Sequence, residues 1–584
     1  MQTADSTPSV PERPAMGSLV ELRVLDGPNL YFPRAAIKLT VDLTGLQVAD
    51  ESSLRALGTV IGGRVGRPWA PHTELRQRFV AAVVLRLVRR VAFAAGTTHL
   101  AVRSRPGPTA DTLVVAYPWR RRGTAETLAH EVAGLVDIFL DEGSAAVAGA
   151  LPAASRRVAT AAPGPPPATI RARIPVVAVT GTNGKTTTSR LVAHIARRAG
   201  LHVGWSSTDG IYHDGVLVEA GDYSGPSGAA RLLALPGVQL AVTETARGGI
   251  LLRGIGVTHN DISVVTNISA DHLGLQGIDT IDQLAEVKAV ITHITRPQGW
   301  CVLNADDPRT LAMRTGTRAK VWVFSRDSNS PGIRDAMDAG GRATTVLDGM
   351  VTVVSNGATP DPLIALTDVP MTLSGLSHFN VENVLAATSA ALGLGLSRAN
   401  VIDGLRTFEL GPEHNPGRMN IYSMGATTVI IDLAHNEVGV TALLEVMNGL
   451  RRPGARLLLA MGTAGDRTEQ LLSGLAEIAA RDTDRLVIVQ KESYLRGRSA
   501  AEMDTIFRAA AGGVGVRDVP SFPDELSGLT ELVAEARPDD VVGVMCHSQR
   551  EILDAWIREH GGSVDSPDVL RDKVVAAAQP APIG

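Results

Sequence analysis

The sequence is short of aromatic residues, of cysteine and of any long apolar run, and each shortage narrows what the chain can be. Phe, Trp and Tyr make up 4% of its 584 residues, and the formal net charge is only -4. With neither stacking platforms nor a basic field, nucleic acid is excluded as the main partner. Two cysteines, Cys301 and Cys546, are too few for a disulfide framework or a thiolate zinc site and fit a reducing compartment. No apolar stretch reaches the roughly 18 residues that span a bilayer, and the opening MQTADSTPSVPERPAMG lacks the apolar core of a signal peptide. The expectation is a cytoplasmic protein with no membrane partner.

What is present is a globular composition, 44% hydrophobic and 20% charged, over a length that calls for several domains. Residues 1–17, rich in Pro, Ser and Thr, read as a flexible tail. Residues 18–150 read as a small α/β domain: strands over 19–25 and 36–43, a helix over 74–95, a strand over 112–117 and a helix over 124–140. The run LPAASRRVATAAPGPPP that follows offers little to a core, so 151–170 is expected to be an extended linker. From residue 171 to 415, short β-branched runs (VVAVT, LAVTET, ISVVTN, VWVF) alternate with helical segments, the pattern of a parallel sheet with crossover helices. A second such set (TTVIIDLAH, RLLLAMG, RLVIVQ, VVGVM) spans 416–572 and predicts a separate Rossmann-like domain, hinged at Pro416 and Gly417. Residues 573–584 read as a second tail. The fold class is α/β with three domains.

The central domain carries the strongest motif. A β-branched strand over 176–179 runs into TGTNGKTTT (180–188) and then into an apolar-periodic helix that stops at Gly200,. Strand, glycine turn and helix N-terminus present backbone N–H groups and a positive dipole end to a phosphate chain, while Lys185 reaches the terminal phosphates and Thr186 meets Mg²⁺. Ala178 replaces the first glycine of the usual phosphate-loop pattern. Two later strands end in polar residues where open α/β sheets place their ligands: Glu244 ends one, and Asp271 with His272 follow the other.

The blocks TGTNGKTTT, ETARGG, TNISADHLG, VLNADDP, HFNVENVLAA, PGRMN and DLAHN occur in the order found in Mur ligases and folylpolyglutamate synthetases, and together they resemble most of all the ligase half of cyanophycin synthetases. GDYSGPSGAARLL (221–233), YLRGR (494–498) and the N-terminal DGPNLY (26–31) resemble that last family in particular. The ATP-grasp domain that those synthetases insert is replaced here by the Ala/Pro stretch. Leu433 and Glu437 stand where the family usually has Tyr and Pro, and no domain for UDP-MurNAc is legible.

The resemblance implies an ATP- and Mg²⁺-dependent, ADP-forming ligase that activates a carboxylate as an acyl phosphate and couples it to an amino acid or other amine. It implies Thr182, Asn183, Gly184, Lys185, Thr186, Thr187, Asn304, Asn383, Arg418 and Asp432 as contacts to ATP. Two Mg²⁺ sites would be held by Thr186, Glu244, His272 and a carbamylated Lys288, the last in LAEVKAV (284–290). Lys185, Glu244, His272 and Lys288 form the catalytic set. For the carboxylate acceptor and amine donor the candidates are Asp209, Ser224, Ser227, Arg231, Arg247, His435, Arg496 and Arg498, the guanidinium fork being suited to carboxylate. The same phosphate loop also serves P-loop kinases, nucleotide hydrolases and non-catalytic nucleotide-binding subunits. Neither the substrates nor any homo-oligomeric state is legible in the sequence.

Overall fold

The computed structural model describes residues 17–62, 69–271 and 273–579. It divides into two compact units: the described residues up to Arg171 together with Gly248–Thr258, and Ala172–Arg247 together with the chain from His259 onward. His272 and most of the N-terminal tail lie outside the described residues.

In the first unit the strands Leu19–Leu25, Ala36–Asp42, Thr112–Pro118 and Arg103–Pro106 form one antiparallel sheet in that spatial order. Helices Glu74–Ala94, Arg122–Glu142 and Ser144–Thr160 supply a buried Val/Leu face to its core. The last helix corrects the expected linker, since residues 151–160 are helical and only the following stretch is extended. Alanine is the best helix former, and Val147, Leu151, Ala154 and Val158 fall at helical spacing on the buried side. The helix even accommodates Pro152. Helix Pro567–Ala577 likewise runs into the stretch read as a C-terminal tail. The segment 248–258, which reads in sequence as part of the central domain, belongs to the first unit. The loop of DGPNLY holds it there, with Asp26 N donating to Arg253 O at 2.8 Å and Ile255 N to Pro28 O at 2.7 Å.

The second unit contains two sheets. The larger has eleven strands, seven of them parallel in the spatial order Arg342–Leu347, Lys320–Ser325, Thr295–Asn304, Asn260–Val265, Val176–Thr180, Leu240–Glu244 and Val203–Ser207. Antiparallel pairs extend it at both edges. The Val176–Thr180 strand lies at the centre and is buried along its whole length, as expected for an apolar run covered on both faces. The smaller sheet has seven strands, in which Thr427–Asp432, Val541–Met545, Leu457–Met461 and Arg485–Val489 are parallel neighbours.

Helix His378–Gly393 is buried around nearly its whole circumference and ties the sheet to the motif-bearing loops. Its Ser389 hydroxyl donates to Thr344 Oγ1 at 2.9 Å, which also accepts the Trp322 indole N–H at 2.9 Å. Trp322 is only 1% exposed. Trp322→Ala should therefore cost about 3–5 kcal/mol, read as a lower denaturant midpoint. A midpoint within error of the parent would show that this contact does not hold the helix.

Candidate functional site

The turn that follows the central strand is shaped by what its glycines lack. Gly184 has φ +82° and would drive a Cβ into Asn383 Oδ1 of the buried helix, and Gly181 would drive one into Thr266 Oγ1. Both positions exclude any side chain. The turn is stitched to the segment after strand Asn260–Val265: Thr182 N donates to Asn267 O at 2.8 Å, Asn183 N to Asn267 Oδ1 at 3.0 Å, and Thr266 Oγ1 to Asn183 O at 2.6 Å. No side chain caps helix Lys185–Arg198, so its first N–H groups are left for an anion.

Around this turn the structure brings together most of the residues singled out from the sequence. Lys185 Nζ donates to Thr182 O at 2.8 Å, Thr186 Oγ1 to Glu244 Oε2 at 2.9 Å, and Thr188 Oγ1 to Asn383 Oδ1 at 3.1 Å. Thr187 Oγ1 accepts from Asn415 Nδ2 at 3.3 Å. Lys288 ends helix Ile281–Lys288, which begins with a reciprocal Thr280/Gln283 capping box,. That short helix delivers its Nζ to Gly181 O at 2.5 Å. Asn304 Nδ2 donates to Thr266 O at 2.9 Å, one residue from the stitching Asn267.

The domain of the smaller sheet reaches the same turn. Asn183 and Asn436 exchange amide hydrogen bonds at 3.1 and 3.2 Å, and Arg418 Nη2 lies 3.4 Å from Thr186 Oγ1. Arg418 sits between two left-handed residues, Gly417 at φ +68° and Met419 at φ +54°. Asp432 locks that turn by accepting Met419 N at 2.8 Å.

Burial dominates the electrostatics. It lowers the Lys185 ammonium and raises the Glu244 carboxyl, although each favours the other's charged form. It holds Lys288 well below the ordinary lysine range, and the nearby Lys185 charge pushes the same way,. Arg418 is lowered and Asp432 raised, again chiefly by burial. Glu244 Oε1 and Arg418 Nε are buried and have no hydrogen-bond partner among the described residues. An oxygen left open beside the Thr186 hydroxyl fits a divalent cation, and an open guanidinium nitrogen fits an anion. Among the described residues no group of three or more His, Cys, Asp and Glu is gathered for a metal.

The proposed substrate residues divide. His435 Nε2 lies 3.7 Å from Asp271 Oδ2, whose other oxygen faces Arg467 at 3.4 Å. Arg247 donates to Leu275 O at 3.3 Å and feels Asp271 and Asp466. Arg498 bonds the carbonyls of Gly465 and Arg467, and Arg496 pairs with Asp466 at 2.7 Å. Ser224 is buried with its hydroxyl on Asp222 at 2.7 Å. Arg231 instead lies on the surface, its side chain 61% exposed and paired with Glu219, and Ser227 is exposed. Asp209 is not free, since Arg190 and Arg550 bind its two oxygens at 2.7 and 2.8 Å. Asn267, Arg190 and Arg550 were not singled out from the sequence. Only Asn267 carried a local signal, its place in TNISADH.

Residues 179–391 match the Mur ligase middle domain, and residues 417–547 match the Mur ligase, glutamate ligase domain. Cyanophycin synthetase of Synechocystis sp. is 44% identical over 330 residues, which are 56% of this chain and 37% of that protein. UDP-N-acetylmuramyl-tripeptide synthetase of Deinococcus radiodurans is 29% identical over 378 residues, 63% of this chain and 71% of that protein. The structure of E. coli FolC in complex with DHPP and ADP matches at 20% identity and a TM-score of 0.49, covering 67% of this chain and 90% of that one. The matched region spans little more than a third of the cyanophycin synthetase. The two domain matches together take in more than half of the chain, and through them it belongs to the Mur ligase family.

Proposed function

We propose that this chain is an ATP-dependent, ADP-forming ligase that activates a carboxylate as an acyl phosphate and joins it to an amino acid or another amine. The observation that carries the reading is the convergence of two domains on one phosphate turn, Asn436 on Asn183 and Arg418 on Thr186. A kinase or nucleotide hydrolase would need the turn but not the second domain. A ligase needs both, because closing over the turn keeps water from an acyl phosphate.

In this reading Lys185, Arg418 and the first helical N–H groups offset charge on the transferring phosphoryl group. Thr186 and Glu244 hold Mg²⁺, and His272, outside the described residues, joins Lys288 at a second site. The metal, when bound, supplies further charge neutralisation on the phosphate oxygens. Lys288 is suited to carbamylation because burial shifts it toward the neutral amine, the form that adds to carbon dioxide. Asn304, Asn383 and Asp432 are assigned to the nucleotide, and His435, Arg247, Arg496 and Arg498 to the carboxylates of the substrates. Phosphate release that depends on an added amine, screened over amino acids paired with small peptides and diacids, tests the reading. Release indifferent to every amine would favour a hydrolase.

A second proposal concerns the extent of reaction. A single phosphate turn among the described residues, with only the short non-helical stretch 161–170 where a second catalytic domain would sit, supports formation of one amide bond per acceptor. Incubated with ATP, Mg²⁺, aspartate and arginine, the protein should give no ladder of products lengthening with time. Such a ladder would show that a single site suffices for polymerisation.

Lys185→Ala and Lys288→Ala should each lower amine-dependent phosphate release by roughly 10²-fold or more. Added formate or acetate should restore part of the Lys288→Ala loss by supplying the missing oxygens. Near-parental turnover in either variant would remove that residue from the site.

Glu244→Gln should melt at a higher temperature than the parent while losing Mg²⁺-dependent nucleotide binding. The folded state holds the Glu244 carboxyl above its unfolded value, so folding disfavours the carboxylate. That penalty is absent below the unfolded pKa and grows as pH rises through it. Glutamine carries no such penalty at neutral pH, which is the usual trade between stability and a charged site. A lower melting temperature with nucleotide binding intact would contradict both halves.

A further inference from the structure

The left-handed turn that carries Arg418 is held by a residue distant in sequence. Arg550 opens helix Arg550–Glu559 at the end of the smaller sheet's domain. Its Nη1 lies 2.8 Å from Asp209 Oδ1 and 3.4 Å from Pro416 O. Its aliphatic stem occupies the space beside Gly417, where an added Cβ would collide with Arg550 Cδ and come within 2.8 Å of its Cγ. Asp209 follows strand Val203–Ser207 of the larger sheet, and its second oxygen binds Arg190 of the phosphate-loop helix at 2.7 Å. Arg190 in turn donates to Asn415 Oδ1 at 3.1 Å, on the near side of the hinge.

The ring of contacts closes on itself: phosphate-loop helix, Asp209, Arg550, hinge turn and back through Asn415. The Arg190 side chain is 3% exposed and that of Asp209 12%. A pair this dry is held by its partners, and deleting one leaves a charge uncompensated. The hinge residues Gly417 and Met419 both have positive φ, a conformation that an unsupported non-glycine residue rarely keeps. Arg550 supplies that support from outside, both by stem packing and by its bond to Pro416 O. Arg418, one residue further on, reaches Thr186.

We propose that Arg550 is a positioning residue, clamping the hinge turn to Asp209 so that Arg418 is held against the phosphate turn and the two domains stay docked. The geometric half stands by itself, and the consequence for ATP rests on the nucleotide reading above. The clamp gives Asp209 a positioning role at the hinge.

The test uses the full chain with two spin labels, at Asp348→Cys on the larger sheet's domain and Glu477→Cys on the smaller one's, both exposed positions; Cys301 and Cys546 are buried. Electron–electron distances report docking, and calorimetric titration with Mg²⁺·AMP-PNP reports the nucleotide site. The parent should give one narrow distance distribution. Arg550→Ala should broaden it and weaken AMP-PNP by roughly tenfold, the effect of losing one well-placed charged contact. Arg550→Lys, which keeps the charge for Asp209 but not the fork, should recover part of both. Gly417→Ala should reproduce the Arg550→Ala behaviour by steric means, leaving every charge in place. Unchanged distances in both Arg550→Ala and Gly417→Ala would overturn the clamp. Broadened distances with unchanged AMP-PNP affinity would overturn its link to Arg418. Failure of the parent to bind AMP-PNP would sink the ligase reading, and with it that link, while the distances would still decide the clamp.

Discussion

A turn that is to bind phosphate must keep the N–H groups at its helical end free, so the rest of it has to be held from outside. Here the outside support is dense: Asn267 takes the loop's first N–H groups, Thr266 binds a carbonyl, Lys288 binds another, and Asn383 fills the space beside Gly184. Each of these residues follows a buried strand or sits in a helix that packs against the sheet's core. The rigidity of the sheet is thus passed to a loop that lacks regular structure. The position of the site at the centre of the parallel strands follows from the same need, since a central strand has packed neighbours on every side.

The second consequence is electrostatic. Buried ionisable groups with open atoms are costly in an empty protein, and Glu244, Arg418, Lys185 and Lys288 are all displaced by burial in the direction that weakens their charge. A site of this kind holds its charges ready for a ligand at the expense of stability, which the extended cores beneath both sheets offset,. The third is mechanical. Because Asn436 and Arg418 come from the smaller sheet's domain and not from that of the turn they touch, these contacts depend on the path of the chain between the two, where Gly417 and Met419, on either side of Arg418, both have positive φ.

Much of this was legible in the sequence, and the reason differs by feature. The order of strands and helices, the phosphate turn, the hinge and the family resemblance come from local patterns: apolar period, glycine placement, motif spacing. Such patterns act over a few residues, so they survive in the linear text. The extended linker was misread for the same reason in reverse, because Ala-rich composition near prolines is ambiguous until Leu151, Ala154 and Val158 find a core to face.

What the linear text left open was the fate of equivalent side chains. As letters, Arg231 and Arg418 are alike, yet one is solvated beside Glu219 and the other is buried on the phosphate turn. Asp209 and Glu244 are both acids after strands, yet one is saturated by two arginines and the other keeps a bare oxygen. Arg550, some 340 residues from Asp209, has no local signal at all. Sequence alone determined the elements with a clear apolar period and the chemistry the phosphate turn presents, because those depend on near neighbours. Tertiary structure decided which charges are paired, which are left open and which residue holds the hinge, because burial and ion pairing depend on contacts that only packing brings together.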